Sequence, residues 1–108
     1  MIELLMSFYQ DYVLIKIRGN SIEFGNTAYG SKMATIDNMK LDKSGVCKEF
    51  PELKDNPLWR EEAIKRFKDK ISLMDKEKDI ADYLLNDLKK FGYIPLYLQE
   101  QGKRRVKL

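Results

Sequence analysis

Residues 12–24 read YVLIKIRGNSIEF. Val13, Ile15 and Ile17 alternate with Leu14, Lys16 and Arg18. A period of two marks a strand with one buried face, because successive side chains of an extended chain point to opposite sides. Gly19-Asn20 comes next and suits a tight turn: glycine takes positive φ freely and asparagine tolerates it. Ile22 and Phe24 then share one face of a short return strand. The stretch predicts a β-hairpin, and it makes the first part of the chain an antiparallel meander.

Upstream, IELLMSFY (residues 2–9) is apolar enough for another strand, although its alternation is imperfect. As a sheet edge it would be long and apolar, and such an edge invites pairing with a second copy. Burial under helices is the competing reading. Downstream, MATIDNMKL (residues 33–41) suggests a further strand, but its apolar residues fit neither period cleanly.

Between them lies GNTAYGSK, Gly25 to Lys32. Two glycines separated by four residues and followed by Ser-Lys resemble a phosphate loop with its last pair reversed. That loop needs Lys directly after the second glycine and Ser/Thr next, on the first turn of a helix. Reversal turns both groups about 100° around such a helix. A hairpin precedes the segment, and no strong helix follows it. Turns at Gly25-Asn26 and Gly30-Ser31 explain the glycines without a nucleotide.

The second half of the chain changes period. KSGVCKEF (residues 43–50) suits a single helical turn, with Cys47 as a small buried apolar residue, and Pro51 ends it. Asn56 is an N-cap candidate and Pro57 suits a first helical position. Ala63, Ile64, Phe67, Ile71 and Met74 form one helical stripe, and Trp59 sits at its start as core or staple. A second helix is expected from about Lys76 to Phe91, with Asp75 as cap candidate. Its stripe is Ile80, Ala81, Leu84, Leu85, Leu88 and Phe91, and Gly92 is a natural stop. The two form a helical hairpin. YIPLYLQ (residues 93–99) has strand composition, but Pro95 restricts it to an edge strand or an extended arm.

The fold expected is α+β: an N-terminal antiparallel meander of three or four strands packed against a C-terminal two-helix hairpin. Residues 1–100 form one domain and residues 101–108 a basic tail. A chain of 108 residues that is 44% hydrophobic has enough apolar surface for a core. No apolar run approaches a membrane span, and the N-terminus lacks a basic region and a small-residue cleavage site, so a cytoplasmic protein without a membrane partner is expected.

Composition narrows the chemistry. The chain has no histidine and one cysteine. Imidazole acid–base catalysis, Ser-His and Cys-His nucleophile pairs, thiolate zinc clusters and an internal disulfide are all excluded. Glu52 and Lys54 in PELK form a Glu-x-Lys pair, with Asp37 as an upstream partner of the kind metal-dependent nucleases use. Pro51 puts the pair in a loop rather than the strand such a core needs. No catalytic residue, metal ligand or cofactor is assigned.

Charge points elsewhere. The net charge is +3, yet QGKRRVKL at the end holds four cations and no acid, leaving residues 1–100 at −1. A basic arm on a neutral body suits an anionic partner. Tyr93, Tyr97, Lys103, Arg104, Arg105 and Lys107 are the candidate nucleic-acid-binding residues: aromatics stack bases while cations neutralise phosphate. The first expectation is a small non-enzymatic nucleic-acid-binding or regulatory protein. The alternative is a protein-interaction module, an adaptor or inhibitor docking through a sheet edge or helix face, or pairing with itself.

Overall fold

A computed structural model of the protein describes residues 1–26 and 33–108. Among these residues the fold is α+β, with one antiparallel sheet and three helices on one side of it. The strands are β1 (Ile2–Phe8), β2 (Asp11–Arg18), β3 (Ser21–Asn26), β4 (Ala34–Thr35), β5 (Tyr93–Glu100) and β6 (Val106–Lys107). Their spatial order is β4-β3-β2-β1-β5-β6. The expected meander is therefore present, but the sheet is larger: the chain returns after the helices to add β5 beside β1.

The hairpin of residues 12–24 pairs Arg18 with Ser21 and leaves Gly19-Asn20 as the turn, with Gly19 at φ 57°. A second tight hairpin joins β1 to β2. Phe8 pairs with Asp11, so Tyr9-Gln10 is its two-residue loop, with Tyr9 itself at φ 53°. Tyrosine is an unusual choice there. Its ring meets Phe8 edge-on at 4.7 Å, and the Ser7 hydroxyl donates to its carbonyl.

The edge proposed for residues 2–9 is overturned. β1 is an interior strand, hydrogen-bonded to β2 on one side and β5 on the other, so its backbone has no free partner row. β4 and β6, which flank the sheet, are two residues long.

The helices are α1 (Lys43–Glu49), α2 (Trp59–Ser72) and α3 (Glu77–Asp87). Asp42 caps α1 by accepting from the Gly45 amide at 3.3 Å. The start of α2 is later than Asn56 and Pro57 suggest. The Asn56 side chain accepts from the Leu58 amide at 2.9 Å and its carbonyl from Trp59, which makes a turn before the helix. Asp75 does not cap α3; Lys76 stands at that position and makes no side-chain cap. After Asp87 the backbone tightens into a 3-10 turn, Leu88–Phe91, and stops at Gly92 with φ 100°.

Ile36–Asn38 also form a 3-10 turn, so the strand expected over 33–41 shrinks to Ala34–Thr35. The cause is packing: Ile36 and Met39, three apart, are both buried. Arg60 fixes the turn by donating to the carbonyls of Asp37 at 2.8 Å and Met39 at 2.7 Å. Gly25-Asn26, expected as a turn, instead end β3, paired with Leu14 and Val13, and the expected turn at Gly30-Ser31 lies outside the described residues.

The core lies between the sheet and the helices. Ile2, Leu4, Met6 and Phe8 of β1 alternate inward, as do Val13, Ile15 and Ile17 of β2. The α2 and α3 stripes meet them, and Phe67 contacts Tyr83 and Phe91 at ring distances of 5.9 and 5.1 Å. Cys47 is half-buried rather than in the core, and Trp59 packs at the core's margin.

Candidate functional site

All three helices cover one face of the sheet, and the strand period sends every other residue to the opposite face. Pairing register assembles that face as a grid. Leu5 of β1 lies opposite Leu14 of β2 and opposite Tyr97 of β5, and Tyr97 lies opposite Lys107 of β6. One row therefore reads Leu14, Leu5, Tyr97, Lys107. The next row pairs Glu23 with Lys16, Lys16 with Glu3, and Glu3 with Gln99. Glu3, Leu5, Leu14, Tyr97, Gln99 and Arg105 line a shallow depression of about 200 Å³.

The segment after β5 closes this site. Gly102 takes positive φ, the Lys103 amide donates to the Glu100 carbonyl, and Leu108 donates to Leu96. The chain folds back, and the Arg105 guanidinium lies 5.6 Å from the centre of the Tyr97 ring. That is cation–π range. A bulge on β5 between the partners of Leu5 and Met6 accommodates Pro95. Its missing amide harms nothing, because β6 pairs only with Tyr97 and Leu98.

The six candidate residues separate into distinct places. Tyr97, Arg105 and Lys107 come together on the uncovered face. Lys103 pairs with Glu100 at 3.0 Å, and Arg104 is exposed in the turn. Among the described residues, no ion pair engages Arg104, Arg105 or Lys107. Tyr93 is set apart: it is 2% exposed, on the core side, 4.9 Å from the Phe8 ring. Its hydroxyl accepts from the Lys40 amide at 3.1 Å, and burial pushes its pKa up. No face of that ring is open to a base.

The Glu-x-Lys pair does not assemble a site either. Pro51–Leu53 is a 3-10 turn, and Glu52 is bound by Arg66 at 2.7 Å. Asp37 is engaged by Lys68, which holds its carboxyl below the usual range. Among the described residues no three potential ligands cluster for a metal, and no helix is long and apolar enough to cross a membrane.

Sequence reasoning missed Glu3, Leu5, Leu14, Lys16 and Gln99. Their signal was present as the off-phase positions of β1 and β2. Only the pairing of β1 with β5, remote in sequence, puts them beside the basic segment. The chain matches no protein-family model, no curated protein and no solved structure.

Proposed function

We propose that this protein binds nucleic acid through the uncovered face of its sheet, at the β5–β6 side. The observation that carries the reading is the convergence of Tyr97, Arg105 and Lys107 on one surface that no helix covers. Cations gather at that side, while Lys16 sits between Glu3 and Glu23 and is locally compensated. An aromatic ring flanked by unpaired cations suits a polyanion whose bases stack. Localised charge of this kind also speeds encounter with an anionic partner. No chemistry is assigned to the site, and regulation by occupancy of nucleic acid is the role it fits.

The test is binding of a labelled oligonucleotide to the parent protein and to the variant Arg104→Gln, Arg105→Gln, Lys107→Gln. Substitution is preferable to deletion of residues 101–108, because β6 belongs to the sheet. The parent binds and the variant loses most of that affinity. Equal binding by the two would refute the proposal. Absence of binding, with a protein captured in its place, would favour an interaction module.

A further inference from the structure

We infer that the face takes single-stranded rather than double-stranded nucleic acid, with one unpaired base held against Tyr97. This rests on the nucleic-acid reading above. The row Leu14, Leu5, Tyr97, Lys107 crosses four neighbouring strands, or about 14 Å at the usual strand spacing. Three of its four members are apolar or aromatic, and only the last is a cation.

A duplex presents phosphates to a flat surface and keeps its base faces inside. Reading it takes an element that enters a groove, a helix or a free β-ribbon. β5 is held between β1 and β6 and offers no free ribbon. Phosphates laid across the row would meet Leu5 and Leu14, which give them no partner, and would lie beside Glu3 of the next row, which repels them. An unpaired base reverses each of these terms. It stacks on the ring and apolar neighbours, while its phosphates stay over Arg105 and Lys107. Arg105 already occupies the ring at cation–π distance and is exposed, so it can yield that position and turn to a phosphate. Glu3 and Gln99, one row along, line the same depression. There a carboxylate can accept from the exocyclic amine of a base.

The experiment compares labelled oligonucleotides of about twelve nucleotides, within the span of single-strand sites, as single-stranded DNA, single-stranded RNA and a fully paired duplex at one salt concentration. At least one single strand binds about 10-fold or more tighter than the duplex. Tyr97→Leu weakens single-strand binding about 5- to 100-fold through lost stacking, and Tyr97→Phe restores it. The DNA and RNA arms show whether a 2′-hydroxyl matters. Equal binding of single strand and duplex overturns the inference but leaves the proposed function standing. So does a neutral Tyr97→Leu beside a damaging charge variant. Binding of neither form overturns both. Unfolding midpoints of both Tyr97 variants establish that they fold.

Discussion

The guanidinium of Arg105 stands 5.6 Å above the Tyr97 ring, joining the basic C-terminal segment to a strand beside the sheet's interior strand β1. Both residues lie outside the core, so the contact contributes little to the fold. An exposed pair of this kind stabilises by about 0.5–1 kcal/mol. Arg105→Ala should therefore lower unfolding free energy by about 1 kcal/mol or less, measured by urea denaturation, while nucleic-acid affinity drops several-fold. A loss of several kcal/mol would make the pair structural.

Gly45 faces the opposite situation. A Cβ placed there would collide with the Lys90 carbonyl oxygen, a backbone atom with no rotamer to change. α1 reaches the 3-10 turn after α3 only because that position carries no side chain. Gly45→Ala gains helix propensity of about 1 kcal/mol in isolation, yet here the clash dominates. We expect net destabilisation of about 1–3 kcal/mol, the usual cost of overpacking, read from the urea midpoint. A stabilised variant would show that α1 docks less closely.

Acid should weaken the fold through identifiable carboxylates. The Ser44 hydroxyl holds Asp42 below its ordinary value of 3.8, and the Gly19 amide holds Glu77 below 4.5. A carboxyl with a depressed folded pKa favours the fold above its unfolded pKa and loses that contribution as pH falls through the folded one. The melting temperature should be flat from neutral pH to about 5 and decline below that. Asp42→Ala should cost about 1 kcal/mol at neutral pH through the lost cap. The gap between variant and parent should narrow below pH 3.8. A constant gap would locate the effect of Asp42 in packing.

Tyr93 supplies the alkaline counterpart. Burial raises the pKa of both Tyr83 and Tyr93 above the ordinary value of 10.0. The fold favours their neutral forms, so that contribution is complete below pH 10 and is lost as pH rises beyond it. Phenolate absorbance should show a group of tyrosines that ionise only as the protein unfolds. Tyr93→Phe should also leave the Lys40 amide without its acceptor, at a cost of about 1–3 kcal/mol. Ordinary titration of every tyrosine would contradict this account of the core.

The legible parts of the chain are those whose signal is local. Val13, Ile15, Ile17, Ile22 and Phe24 alternate around a glycine turn, and the stripes from Ala63 to Ile71 and Ile80 to Phe91 keep helical spacing. The structure buries these residues except Leu85, which, like Met74 at the end of the first stripe, is only partly buried against the core. Ile36 and Met39 misled because a 3-10 turn clamped by Arg60 has no pattern of its own. The start of α2 misled at Asn56 because a cap-type residue also serves a turn, whereas Asp75 lies one residue before the Lys76 cap position of α3. At the site, Tyr97 and its neighbouring cations were visible in the sequence. What separates Tyr97 from Tyr93 was not, since opposite faces follow from the long-range pairing of β5 with β1 and from its bulge. Pairing of Val106 and Lys107 with β5 in turn makes the basic tail one border of a sheet face.

The most direct test of the central claim is the salt dependence of oligonucleotide affinity for the parent and for Arg105→Gln, Lys107→Gln. With three or four phosphates neutralised on a single strand, log K should fall against log salt with a slope of about −2 to −3. The double variant should flatten that slope by about 1 or more. A slope near zero in the parent, or one unaltered in the variant, would contradict an anion-binding role for the β5–β6 side of the sheet.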